Sequence, residues 1–167
     1  NTDTSACFGK YGDFVYDAER LCKVIEENQP EYNVNKIYLD AYTQISGSSG
    51  ATYPTVNETM KKQFANGAAA MVYTGHGGPR KLSHESVFMQ QDADALTNAG
   101  RLPFVFTASC EVGRYDDHTF NSLGEILVRN PKGGAIAALV TTRVVYNTAN
   151  NELGRNIFHQ DITSGMR

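Results

Sequence analysis

Apolar positions along this chain switch between two periods. Ala18, Leu21, Cys22 and Ile25 recur at helical spacing. Asp13 stands where an N-cap belongs, and Pro30 lies just past the end, so the spacing predicts a helix over about 13–28. "KIYLD" (36–40) reads as a short strand. Val56, Met60 and Phe64 form a second helical stripe, with Thr55 and Glu58 at capping-box spacing and Asn66-Gly67 as its stop. Three later runs are apolar without alternation: "AAAMVYT" (68–74), "LPFVFTAS" (102–109) and "GAIAALVTT" (134–142). Strands buried on both faces of a parallel sheet have that character. Pro103 is tolerable because it falls at the start of its run. Between the second and third runs, Leu123, Ile126 and Leu127 share a helical face that Asn130-Pro131 closes. A last helix follows, with Leu153, Ile157 and Phe158 predicted to face inward.

The order α-β-α-β-(α)-β-α-β-α implies an α/β domain with a mostly parallel sheet covered on both faces. "QISGSSGATYP" (44–54) reads as one surface loop. Doubly wound sheets usually open with a strand, yet this chain opens with a helix. Either "SACF" (5–8) supplies that strand, or the chain is a piece of something longer.

Composition narrows the class. The chain has 167 residues, 41% hydrophobic and 20% charged, with a formal net charge of -3. No basic stripe suggests nucleic acid. No apolar run approaches the roughly 20 residues that span a bilayer. Three cysteines, Cys7, Cys22 and Cys110, without CxxC spacing, argue against a disulfide framework and a zinc ribbon. Cys7, in a tail, and Cys22, on the apolar face of the first helix, read as inert thiols. No metal or cofactor is called for: the seven residues between His76 and His84 match no common zinc spacing, and "RYDDH" (114–118) lacks an EF-hand pattern.

Candidate chemistry gathers where the apolar runs end. Gly75-His76-Gly77-Gly78 follows the first, Ser109-Cys110-Glu111 the second, and the third closes on Thr141-Thr142-Arg143. In open α/β sheets ligands bind outside the carboxyl ends of the strands. A thiol can attack a carbonyl and carry an acyl group. An imidazole can protonate a departing amine. The backbone N–H groups of Gly77 and Cys110 are candidate oxyanion donors, and a glycine at 77 would let a substrate carbonyl approach without a Cβ in the way.

"YTGHGG" followed by "LPFVFTASCE" resembles the gingipain family of cysteine peptidases, within the caspase-like group. The likeness continues through "RYDD", "SLGEILV", "GGAIAALVTTRVVY" and "NNELGRNIF", over about residues 12–160, and is strongest to the PorU-type sortase branch that serves type IX secretion. The resemblance implies a caspase-like three-layer α/β/α sandwich and a Cys110–His76 dyad in which the imidazole serves mainly the leaving group. It also implies Gly77 and Cys110 as oxyanion donors and Thr141, Thr142 and Arg143 beside the substrate pocket. Glu85 and Glu111 match acidic positions, Glu85 either orienting His76 or starting a helix. No cofactor is implied. The implied partners are a protein or peptide substrate and other secretion-system components, at an extracellular or cell-surface location. Family members usually begin with a strand ending in two aspartates and carry further closing segments. Residues 1–167 are therefore expected to be a single, partial peptidase domain. A non-catalytic protein-binding module on the same fold stays open as an alternative. So does a flavodoxin-like nucleotide domain, although the glycine-rich strand end carries a histidine where a phosphate would sit.

Overall fold

The computed structural model of the chain describes residues 13–48 and 50–164, with side chains as far as His159. The expected strand at 5–8 and Cys7 lie outside the described residues. The chain divides into two compact units, residues 1–38 with 145–167, and residues 39–144.

In the first unit, helix α1 (Phe14–Asn28) begins where Asp13 accepts a hydrogen bond from the Tyr16 N–H, 3.0 Å away. The helix ends before Pro30 because proline cannot continue it. It packs against α5 (Asn147–Ser164), and Leu21 of α1 and Phe158 of α5 are both buried. Leu153 is half exposed at 46%, so the inward face of α5 includes Phe158 but not Leu153. Asn150, a buried polar residue, lies on that helix too. Buried Asp17 accepts from the side-chain amides of Asn147 (2.6 Å) and Asn151 (2.8 Å). Burial raises its pKa above the usual aspartate value, against a smaller lowering by the Asn147 hydrogen bond. "KIYLD" is not a strand. Lys36 and Tyr38 both bond Glu19 of α1, which leaves 36–38 without a ladder, and Leu39–Ala41 form a 3-10 turn.

The second unit holds the sheet. Strands β3 (Ala70–Thr74), β7 (Phe104–Ala108) and β8 (Ala137–Leu139) are parallel in the order β3-β7-β8. They are the three apolar runs, trimmed to the residues that pair. Only the central strand, β7, is buried over nearly its whole length; the outer strands leave Val72 (39%) and Leu139 (37%) exposed. Helix α2 (Pro54–Asn66) starts with Pro54 in its first turn behind Tyr53, not through the Thr55–Glu58 capping box. Glu58 pairs instead with Lys61 at 2.6 Å. Its Val56 and Phe64 are buried as the stripe predicted, and Phe64 stacks on Phe88 at 5.5 Å. Burying each such side chain contributes about 1.5–3 kcal/mol.

The "QISGSSGATYP" segment is not a plain loop. Its β1 (Ile45–Gly47) and β2 (Gly50–Thr52) pair antiparallel. A second small sheet was not signalled at all: β4 (Gly77–Gly78), β5 (Lys81–Leu82) and β6 (Phe88–Met89), antiparallel in that order, leading into the short helix α3 (Gln90–Asp94). Helix α4 (Leu123–Arg129) is capped by Ser122, whose hydroxyl and N–H both meet the Glu125 carboxylate. Leu123 and Leu127 are buried, and Asn130 ends the helix before Pro131 as expected.

Candidate active site

The pairing of β3 with β7 decides where the candidate residues fall. Thr74 lies opposite Ala108 at the carboxyl end of the ladder. His76 is two residues beyond Thr74, and Cys110 two beyond Ala108. The two candidates thus leave adjacent strands, whose backbones run about 4.8 Å apart, at the same register. The Gly75 N–H still reaches the Ala108 carbonyl at 3.4 Å, so the strands stay together into the turn. Both His76 and Cys110 are partly exposed.

Gly77 shows how closely the two turns pack. A Cβ on Gly77 would fall on the Ser109 hydroxyl and lie 3.2 Å from Val112 Cγ2. The missing side chain therefore faces the Cys110 turn rather than an incoming carbonyl. Glycine at 77 is needed so that the imidazole turn can seat against the residues flanking the thiol. Gly78 is different: a Cβ there would meet nothing within 4 Å. The Ser109 side chain is 3% exposed, and its hydroxyl has no hydrogen-bond partner among the described residues.

The third strand end is tied to the thiol turn. The Glu111 N–H donates to the Arg143 carbonyl (3.3 Å), the Gly113 N–H to the Thr141 carbonyl (2.9 Å), and the Thr141 hydroxyl to the Ser109 carbonyl. Residues 141–143 thus extend the β7–β8 association past the formal strands. The Arg143 guanidinium forks onto both oxygens of Asp116. That pair holds the Asp116 carboxyl down at about 2. Arg114 reaches Glu111 at 3.1 Å and Asp117 at 3.6 Å. Each acid of this rim is therefore already matched by an arginine. Glu111 adopts φ 56, an uncommon conformation for a residue with a side chain.

Glu85 does not start a helix. It is buried in the turn after β5, where its carboxylate takes the Ser83 hydroxyl. His84, in the same turn, lies flat on His76, with ring centroids 4.6 Å apart and planes 8° from parallel. Ring nitrogen lone pairs lie in the ring planes, so two parallel stacked imidazoles do not converge on one ion. No group of three metal-ligating side chains occurs among the described residues. Cys22 is half buried on α1, and burial raises its thiol pKa, in keeping with an inert role.

Sequence reasoning missed three of these features. The stacked His84 had no signal beyond its spacing from His76. The Gly77–Ser109 contact had none. The Ser122 cap was announced by its own Ser-x-x-Glu spacing.

A parallel sheet with flanking helices and candidate residues at its carboxyl rim is the caspase-like α/β fold. The chain belongs to peptidase family C25, whose family model matches residues 2–167, and it is a gingipain-family cysteine peptidase domain. Among solved structures it is similar to the complex of the Porphyromonas gingivalis RgpB pro- and mature domains. That match has 19% identity and a TM-score of 0.68, and covers 87% of this chain and 32% of that one. It is also similar to the Arg specific cysteine proteinase gingipain R, with 20% identity, a TM-score of 0.68, and 86% and 32% coverage. A third structure, that of a protease, aligns at 14% identity and a TM-score of 0.52, over 83% of this chain and 37% of that one. The chain thus spans about a third of the length of the gingipain structures it matches. No curated protein sequence matches it. No helix among the described residues is long and apolar enough to cross a membrane.

Proposed function

We propose that this domain cleaves peptide bonds through an acyl-enzyme on Cys110, with His76 as the proton donor to the leaving amine. The observation that carries the reading is the shared register of the two residues on adjacent strands. In the first step the Cys110 thiol yields its proton to His76, its sulfur bonds to the substrate carbonyl carbon, and the C–N bond breaks. His76 delivers a proton to the departing nitrogen, leaving a thioester. The backbone N–H groups of Gly77 and Cys110 take the developing oxyanion. Water then attacks the thioester, releases the acid and restores the thiol. In a sortase version an amine on a surface glycolipid takes the place of water, and the substrate is a secreted cargo protein losing its C-terminal signal. That version places the protein at the extracellular or outer-membrane face, alongside other secretion-system components. Its support is the sequence likeness to the PorU-type branch.

Thr141, Thr142 and Arg143 form the wall beside the thiol in this reading. Arg143 shapes that wall through its fork with Asp116 rather than by meeting substrate with a free charge. Because the rim's acids are matched by its own arginines, they offer no unpaired partner to a basic substrate side chain. Glu85 acts through the turn it anchors.

The test is Cys110→Ala in the intact protein, assayed on an unstructured protein substrate. Cleavage should fall by at least about 1,000-fold with an unchanged circular dichroism spectrum. Undiminished turnover would end the peptidase assignment. A protein whose Cys110 resists a peptidyl thiol electrophile would favour the binding module.

A further inference from the structure

His84 is exposed, yet the backbone beneath it is held from several sides. The Ser83 N–H donates to the His76 carbonyl at 2.8 Å. Lys81 Nζ donates to the His84 carbonyl and to the Ser86 hydroxyl, each at 3.0 Å. The Ser83 hydroxyl joins the buried Glu85 carboxylate, and the Val87 N–H donates to the Leu82 carbonyl at 3.1 Å. On the other side, the Tyr73 hydroxyl donates to the His76 carbonyl at 2.7 Å.

This bracing maintains an unfavourable backbone. Ser83 (φ 63) and Ser86 (φ 54) flank His84-Glu85, and with Glu111 they are the positive-φ residues with side chains among those described. Each such conformation costs on the order of 1–2 kcal/mol. Strain of this kind persists where surrounding contacts over-determine it, and it gathers at functional sites. Glu111 lies in the turn that carries Cys110, and Ser83 and Ser86 lie in the turn that lays His84 against His76. A surface histidine needing only solvent would not require such a turn. What the turn achieves is to lay one imidazole flat on another, at 4.6 Å and 8°.

We propose that His84 is a positioning residue: its ring is the shelf that holds His76 in the orientation from which it protonates the leaving amine. The inference rests on the role given to His76 above. A proton donor left to rotate freely spends part of its time misdirected, and small misplacements of catalytic groups are costly. The shelf acts through ring shape and not through charge, so phenylalanine should replace it.

The experiment compares wild type, His84→Ala and His84→Phe in the intact protein, each with side-chain-labelled histidine. Thermal midpoints serve as a check on folding. The His76 ring resonances should be sharp and ring-current shifted in wild type and His84→Phe, and should lose that shift in His84→Ala. Alongside, kcat should drop about 10- to 100-fold in His84→Ala with KM changed by less than about twofold, and His84→Phe should recover most of it. Unmoved His76 resonances in His84→Ala would overturn the shelf whether or not the protein cleaves peptides. Unchanged kcat in His84→Ala, or equal loss in both variants, would overturn it too. Resonances that respond as expected in a wild-type protein with no turnover would instead count against the peptidase reading.

Discussion

Residues 75–89 and 109–122 leave neighbouring strands at the same level, yet they are held in different ways. The first segment folds back on itself into β4, β5 and β6, and most of its hydrogen bonds are local. The second has no ladder of its own. Gly113 borrows the Thr141 carbonyl, and the Val112 carbonyl receives the N–H of Gly124 in α4 at 2.9 Å. A Cβ on Gly124 would sit 2.9 Å from Val140 Cγ2 and 3.1 Å from that carbonyl, so a side chain there would make its neighbours give way. The two turns meet at α4 as well, where the Leu123 N–H donates to the Pro79 carbonyl at 2.7 Å. A self-supporting turn can carry strain and still present a fixed ring. A turn supported by neighbours places its thiol only as well as those neighbours are packed.

The largest effect should come from removing that support. Leu123 is fully buried at the start of α4. Leu123→Ala should cost about 2–5 kcal/mol in denaturant unfolding. Cys110 alkylation should slow while the His76 ring resonances barely move, because the thiol turn has no ladder of its own, whereas the His76 segment has one and meets α4 through a backbone N–H that alanine at 123 keeps. Equal disturbance of both turns would erase the contrast.

A smaller effect separates two adjacent glycines. Gly77→Ala forces a methyl into Ser109 and should cost about 1–3 kcal/mol. Gly78→Ala meets open space and should alter stability by less than about 0.5 kcal/mol. If Gly78→Ala nevertheless lowers kcat/KM, the substrate backbone passes over that edge. Equal losses of stability would refute the seating of Gly77 on the thiol turn.

The smallest effects are electrostatic, and opposite in sign. Asp116 has a carboxyl pKa below its unfolded value, so its contribution to stability is present above about 3.8 and lost as pH falls towards about 2. Asp17 has a raised pKa, so its contribution is fullest below the unfolded value and declines as pH rises through the folded one. Acid titration followed by carbon-detected NMR should show the Asp116 carboxyl taking its proton after that of Asp17. The reverse order would refute both assignments.

What was legible in the sequence was what burial writes. The runs around Val72, Phe106 and Ala138 marked the sheet, and the stripe through Val56 and Phe64 marked α2. The strand ends at His76 and Cys110 could be read because strand lengths set where each run stops. The rest carried no hydrophobic signature. The β1–β2 pair has three residues a side, and its one large apolar residue, Ile45, is exposed. The strands β4 to β6 are two residues long, too short for any period to show. "KIYLD" had a strand's composition, but Glu19 took its polar side chains. The stacking of His84 depends on two serines in positive-φ geometry, which composition does not announce.

The order β3-β7-β8 has a practical consequence for producing the protein. Each outer strand of the three keeps one flank without a strand partner among the described residues, and Ile136, beside β8, is 69% exposed. Such borders invite pairing between copies. Self-association would then compete with soluble yield, and a charged substitution such as Ile136→Lys is the natural means of suppressing it.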